Sequence, residues 1–387
     1  MESIEGILYS DNSKVRIEIE DDIIKKIEKV DSFTDNAKDT YYIAPGLFDN
    51  QINGYLGVEF SLPELTTEDM YKVVKGLHNN GVTTFLPTVI TASEKSLINS
   101  FKNLVHTLQE KDISRSIPGF HLEGPYISPV KGYRGAHSLK DIRKPDWDEF
   151  MRINEAAEGK IVQVTLAPEI EGAIEFIKKC VQNDIVVSLG HHNGSAEDIE
   201  RAADAGAKTV THLGNGVANE INRFDNPLWM QLAEDRLMVS LILDGFHLRP
   251  EMVKVFYRAK GKDHIILTSD ITMLAGMPPG DYVWDGNDVF LTPEGIIMLP
   301  RENVFAGASL PLSVGIENMM KFTNCSLHEA INMATKNPAS LYGFDNIAVI
   351  EEGKRADFIL FKLEQNQLKI VQTMVAGDIV YKEEKEY

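Results

Sequence analysis

Eight short apolar runs, separated in most cases by stretches of helical periodicity, constrain this chain more than anything else in it. They fall near Tyr42–Ala44 running into Phe48–Gln51, then at Thr83–Val89, Ile117–His121, Ile161–Leu166, Ile185–Leu189, Thr209–His212, Met238–Leu243 and His264–Thr268. Amphipathic stretches such as Thr67–Asn80, Ser93–Glu110, Asp146–Glu158, Ile170–Asn183 and Pro250–Lys260 lie between them, several closed by a glycine such as Gly81, Gly206 or Gly261. Strands joined through helices run parallel. Eight such units, with no dinucleotide or P-loop glycine fingerprint after the first strand, predict an α/β chain whose centre is a (β/α)8 TIM-like barrel rather than an open doubly wound sheet. After the eighth run, residues 276–300 are rich in Gly, Pro and Asp and read as a hairpin insertion, and Ser326–Tyr342 reads as a last helix pair.

The two ends have another rhythm. Val15-Arg16-Ile17-Glu18-Ile19-Glu20 alternates apolar and polar residues, and Asp357-Phe358-Ile359-Leu360-Phe361 and Gln372–Asp378 read as strand and turn. Neither end has enough strand to stand alone. Together they predict a small β-sandwich domain built from 1–44 and 345–387, flanking a barrel of 45–344. A chain of 387 residues has room for both.

Charge and cysteine content narrow the partners. A formal net charge of -19 argues against nucleic acid or an anionic membrane, which need a basic surface to replace counterions. An anionic substrate must therefore meet a local basic group. No stretch reaches membrane-spanning length, and the segment MESIEGILYSDNSK lacks the pattern of a signal peptide, so a cytoplasmic location is expected. The two cysteines, Cys180 and Cys325, are too few for a disulfide framework or a thiolate zinc site.

Active sites of parallel barrels sit at the carboxyl ends of the strands, and those ends are crowded with ionisable groups here. They carry Asp49-Asn50-Gln51-Ile52-Asn53, His121-Leu122-Glu123-Gly124-Pro125, Gly190-His191-His192, Thr211-His212, Asp244-Gly245-Phe246-His247 and Ser269-Asp270. Between His191 and His212, Ser195 is placed to cap a helix with Asp198 three residues on. The unit is a crossover that delivers two imidazoles to one rim. Taken singly, each residue has an ordinary reading: Glu123 bracing the Gly124-Pro125 loop, His191 or His212 a satisfied core histidine, Asp270 a turn residue. Taken together, one carboxylate and two imidazoles are a three-ligand zinc set with a fourth position for water. Asp270 then fits as the base that is not a ligand. Strand alternation points His192 away from His191, and His121 lies deeper, in a supporting place. His78, His106, His264 and His328 fall on helices or strand starts and read as structural or solvent-exposed.

These motifs, with Pro45-Gly46-Leu47-Phe48-Asp49 at the barrel entry, Asn215, and Glu352–Asp357 at the return to the small domain, resemble the N-acetylglucosamine-6-phosphate deacetylase branch of the amidohydrolase superfamily. The resemblance implies that Glu123, His191 and His212 bind the catalytic metal, that Asp270 carries the proton, and that His137 polarises the acetyl carbonyl. It further implies substrate contacts from Ala136, His137, Asn215, Gly216, His247, Ala306 and Gly307. Arg223, eleven positions after His212, matches a phosphate-binding arginine that reaches the neighbouring subunit's site, which implies a homodimer. The ordinary alternative is a surface ion pair with Glu220 or Asp225. Most of the superfamily opens the barrel with His-x-His for a second metal, whereas this chain has Gln51-Ile52-Asn53. Amides are poor zinc ligands, so one divalent metal per subunit is expected, zinc first, with iron, cobalt or manganese accepted by the same ligands. Leu213-Gly214-Asn215-Gly216-Val217 departs from the family's bulkier pattern and suggests a roomier sugar-facing wall. The implied reaction is hydrolysis of N-acetylglucosamine 6-phosphate to the amine and acetate. The alternatives are deacylation of N-acetylgalactosamine 6-phosphate or an N-acyl amino acid, and a non-catalytic binding protein, which the intact ligand set disfavours.

Overall fold

The computed structural model describes residues 2–33, 41–61, 64–284, 286–300 and 304–384, so parts of the segments 1–44 and 345–387 lie outside the described residues. Eight parallel strands neighbour one another in chain order: Leu47–Ile52, Val82–Ile90, Phe120–Glu123, Ile161–Leu166, Val186–Leu189, Thr209–Val210, Met238–Ile242 and Ile265–Thr268. A parallel bridge from Ile52 to Ile271, with Asp270 N donating to Gln51 O at 3.1 Å and Asn53 N to Ile271 O at 2.8 Å, brings the eighth back to the first. The expected barrel is formed. Its strands are short continuous apolar runs because both faces are covered. Leu122, Val164, Leu189, Leu241 and Leu267 join helix residues such as Val73, Phe101, Ile153, Phe176 and Val253 in one apolar cluster. Each such side chain stabilises the fold by roughly 1.5–3 kcal/mol relative to exposure.

The local signals act as their chemistry requires. Ser195 and Asp198 close a reciprocal capping box at the start of helix Ala196–Asp204, and Gly206 follows its end at φ 104°, a left-handed conformation open to glycine. Among the helices that escape a reading by periodicity are Pro227–Ala233 and Leu312–Thr323. The first has only seven residues, and the second starts after Pro311 with no side-chain cap.

One expected strand divides in two. Tyr42–Pro45 belongs to the sheet of the chain ends, and the barrel begins at Leu47. Gly46 makes the crossing possible, since a Cβ there would lie 2.1 Å from Thr83 Oγ1. The sheet of the chain ends has seven strands, in the order Asp378–Lys382, Gln367–Val375, Phe358–Glu364, Tyr42–Pro45, Glu2–Leu8, Lys14–Glu20, Ile23–Lys29, with its own core of Ile17, Ile24, Ile43, Phe358 and Met374. The insertion after the eighth strand is more than a hairpin: Gly280–Trp284, Asn287–Leu291, Ile297–Leu299 and Val304–Phe305 form a four-stranded sheet.

His78 ties the helix Thr67–Asn79 to its surroundings and gives the fold an acid-sensitive point. Its Nε2 lies 2.9 Å from Ser116 Oγ, and its carbonyl accepts from Thr373 Oγ1 at 2.7 Å. Burial, with the Arg115 charge adding, pushes its pKa from 6.5 down to about 4. As pH falls below 6.5 the unfolded chain takes up this proton while the folded chain does not until about 4, so stability present above 6.5 is lost across that window. The expected loss is about 3 kcal/mol. Denaturant unfolding between pH 7 and 4 should show a shallower decline for His78→Gln than for the parent; equal slopes would refute the assignment.

Candidate active site

Glu123 ends the third barrel strand, while His191, His212 and Asp270 each lie two residues past the fifth, sixth and eighth. The strand-end reading therefore places all four on one rim. The last three are non-glycine residues in the left-handed region, with φ of 51°, 34° and 53°. Such conformations cost on the order of 1–3 kcal/mol each and persist where the surroundings dictate them. The dictating contacts are visible: Ser128 N donates to His191 O at 2.9 Å, His212 N donates to Ser240 Oγ at 2.8 Å, and Asp270 N donates to Gln51 O.

The side chains converge on one carboxylate oxygen. Glu123 Oε1 lies 3.1 Å from His212 Nε2 and 3.3 Å from His191 Nε2. The three donors lie within 4.8 Å of one another, and all three residues are buried. Tyr133 O, which only accepts, sits 3.0 Å from His191 Nδ1. The proton is therefore on Nδ1, and Nε2 offers its lone pair to the centre. A buried set of one carboxylate and two imidazoles, with at least one tautomer already fixed, fits a divalent metal. Burial alone would raise the Glu123 pKa, but His191 and His212 hold it well below the carboxylate range. For His212 burial opposes the charge, and the Glu123 carboxylate outweighs it and raises the pKa.

His137 joins this group, its Nε2 being 3.3 Å from His191 Nε2. Its Nδ1 is 2.8 Å from Thr91 Oγ1, a hydroxyl that itself donates to Glu123 O at 3.4 Å. That contact orients the ring and turns Nε2 toward the centre. Burial, the largest cause, pushes the His137 pKa down to about 3, so the ring is neutral. The sequence reading missed Thr91. The signal was present, because it is the first residue past the second barrel strand.

Asp270 faces the same space. Burial, opposed by His212 and reinforced by Glu123, raises its pKa to about 6. Gln51 Nε2 lies 3.0 Å from both Glu123 Oε1 and Asp270 Oδ1, and Asn53 Nδ2 is 2.7 Å from the same Oδ1. His121 and His192 stay outside the donor set. The first is held between Thr88 and Thr165, and the second faces Gln231 and accepts from Gly194 N at 3.1 Å.

The remaining expected residues ring this centre unevenly. Asn215 Nδ2 is buried with no hydrogen-bond partner among the described residues, a donor left for another molecule. His247 Nδ1 pairs with Asp244 Oδ2 at 2.7 Å, and its ring meets the edge of Phe305 with centroids 5.0 Å apart. Ala306 is buried, and the backbone at 306–308 runs against Asp270, with Ala308 N donating to Asp270 O at 3.0 Å. A Cβ on Gly307 would lie 2.4 Å from Thr272 Cγ2. Ala136 is exposed beside His137. Arg223 is exposed, with its guanidinium 4.4 Å over the Phe224 ring and no ion pair to Glu220 or Asp225 among the described residues. The expectation of a roomier sugar-facing wall needs correction. A Cβ on Gly214 would meet Leu248 Cδ2 at 2.8 Å, and one on Gly216 would meet His191 Nδ1 at 2.8 Å. These glycines admit close packing of a helix-side leucine and a rim histidine. A cavity of about 290 Å³ between Thr84, Arg115 and Arg355 lies toward the amino ends of the strands, far from this chemistry, its guanidiniums already paired with Asp112, Asp378 and Asp357.

Comparison with known proteins agrees with this geometry. Residues 42–380 match the model of the amidohydrolase family. N-acetylglucosamine-6-phosphate deacetylase of Bacillus subtilis is 30% identical over 343 residues, covering 88% of this chain and 84% of that protein. N-acetylgalactosamine-6-phosphate deacetylase of Escherichia coli O157:H7 is 28% identical over 365 residues, 94% of each chain. The crystal structure of N-acetylglucosamine-6-phosphate deacetylase from Thermotoga maritima superposes with a TM-score of 0.87 at 30% identity, covering 99% of this chain and all of that one.

Proposed function

The chain belongs to the amidohydrolase family, and from that premise we propose that it hydrolyses the N-acetyl group of N-acetylglucosamine 6-phosphate, giving glucosamine 6-phosphate and acetate. The observation that carries this is the convergence of Glu123, His191 and His212 on one buried point, with Asp270 held beside them. Glu123, His191 and His212 would hold one divalent ion, zinc by preference, which supplies the charge that acidifies water and polarises an acyl oxygen. Asp270 accepts the proton of the attacking water as the new C–O bond forms, and returns it to the amine nitrogen as the C–N bond breaks. One carboxylate serves both halves of the reaction. His137, a neutral ring whose Nε2 faces the centre, donates from that nitrogen to the acyl oxygen as negative charge grows there. The unpartnered Asn215 Nδ2 takes a substrate oxygen, and His247, Ala136, Gly216, Ala306 and Gly307 shape the sugar site.

Phosphate recognition falls to Arg223, whose guanidinium is not spent on a carboxylate and can donate two parallel bonds to a phosphate. It sits beside two exposed apolar side chains, Phe224 and Trp229, on a loop whose Ala218 is packed against Gly132. An exposed apolar group of this kind suits a covered surface, so the working form is a homodimer in which Arg223 completes the partner's site. No helix among the described residues is long and apolar enough to cross a membrane, and both cysteines are free and buried. A cytoplasmic enzyme of amino-sugar catabolism accounts for these features. The galactosamine isomer is the second reading, favoured by the relative that matches 94% of each chain.

Acetate release from both isomeric sugar phosphates, with zinc-loaded protein, decides between them. Arg223→Glu should lower kcat/KM on the phosphorylated sugar by roughly a hundredfold or more, in line with a lost buried-type charge contact, and change hydrolysis of an unphosphorylated N-acetyl sugar by less than about threefold. Equal losses on both would remove Arg223 from the phosphate site. Turnover of an N-acyl amino acid alone would overturn the substrate.

A further inference from the structure

We propose that Gln51 and Asn53 are positioning residues that couple the metal ligand Glu123 to the proton carrier Asp270 through a clamp of amide N–H groups. The inference rests on the roles given above to those two carboxylates. The geometry leaves little freedom. Gln51 Nε2 lies 3.0 Å from Glu123 Oε1 and 3.0 Å from Asp270 Oδ1, so its two N–H groups are divided between two carboxylates. Asn53 Nδ2 reaches the same Asp270 Oδ1 at 2.7 Å. Ionised carboxylates only accept, so the amide orientations follow from the partners: each side chain must present its nitrogen here.

The environment makes these bonds consequential. Gln51, Asn53, Glu123 and Asp270 are all at least nine-tenths buried. Two carboxylates joined by one nitrogen in such a place repel one another unless positive dipoles stand between them. The two amides supply those dipoles without adding a charge. Both bonds to the base fall on Oδ1, so neither amide engages Oδ2, the oxygen left to handle the proton. The main chain enforces the arrangement, because Asp270 N donates to Gln51 O and Asn53 N to Ile271 O, fixing both amides and the base to one closure of the barrel.

The two amides differ in reach, and that difference makes the proposal testable. Asn53 touches the base alone, whereas Gln51 touches base and ligand. Asn53→Leu should lower kcat by roughly tenfold or more with KM and zinc affinity unchanged. Gln51→Met, close in shape but without N–H groups, should lower kcat and weaken zinc binding by roughly tenfold or more. Asn53→Asp keeps the volume and sets a carboxylate oxygen where a donor stood, so a kcat loss at least as large as for Asn53→Leu excludes a cavity as the cause. Zinc affinity is read by competition with a chromophoric chelator, and each variant's melting temperature is recorded. Wild-type kcat in Asn53→Leu or Asn53→Asp, or parallel losses of zinc affinity in all three variants, would overturn the clamp. If the parent binds no zinc, the proposed function fails instead; if it binds one equivalent and turns over, only the clamp is on trial.

Discussion

Asp270→Asn is expected to bind zinc as the parent does and to lose about a thousandfold in kcat, the middle of the range for a positioned acid–base group. The change is nearly isosteric. An asparagine Oδ1 still accepts from Gln51 Nε2 and Asn53 Nδ2, so the clamp and the left-handed backbone at 270 lose none of these partners. Glu123, His191 and His212 keep their mutual contacts. What disappears is the capacity to take a proton from water and pass it to a leaving nitrogen, and both halves of the hydrolysis need it. Substrate affinity, set by the sugar and phosphate contacts, should change little, so the loss belongs in kcat rather than KM. Steady-state rates of acetate release, with zinc content measured on the same sample, check the result. A kcat within about tenfold of the parent would mean that another group carries the proton.

Much of this centre was legible in the sequence, for a physical reason. A parallel barrel gathers the carboxyl ends of its strands on one rim, so a residue's place relative to a strand end says where it goes. That rule located Glu123, His191, His212 and Asp270 from the alternation of apolar runs alone. It also separated His192 and His121 from the donor set. What stayed hidden depends on contacts between distant segments. Thr91 orients His137 from 46 positions away, and Tyr133 fixes the tautomer of His191 from 58 away. No local pattern reports such pairings. Gly46 and Gly214 show the same limit: their absent side chains are explained by Thr83 and Leu248, which only the fold brings near. The departure at Gln51 and Asn53 was visible as a missing pair of histidines, but the bonds the amides make instead were not.

Removal of the metal should abolish activity while leaving the barrel folded. The three donors sit at strand ends, but the strands are joined below them by pairs such as Thr165–Ser188, Leu166–Leu189 and Ser188–Thr209, and by the apolar cluster around Leu122, Val164 and Leu241. An ion held by these donors would therefore attach to a framework that hydrophobic burial already supports. A small zinc-nucleated domain, whose folding energy is its metal-binding energy, behaves in the opposite way. Chelation should shift the melting transition only by mass action, about 2.7 kcal/mol for a metal present at a hundred times its dissociation constant. The transition should remain cooperative, and added zinc should restore turnover in full. Glu123→Gln gives the complementary result. It keeps the size of the side chain but replaces the one anionic donor with an amide, so zinc affinity should fall by more than the roughly tenfold to hundredfold that loss of an outer partner costs. One equivalent of zinc should then fail to restore activity in a protein that melts near the temperature of the chelated parent. Full turnover after chelation would remove the metal from the reaction. Loss of a cooperative transition on chelation would instead make the ion part of the fold, and the strand-end framework would no longer suffice to explain the stability of this rim.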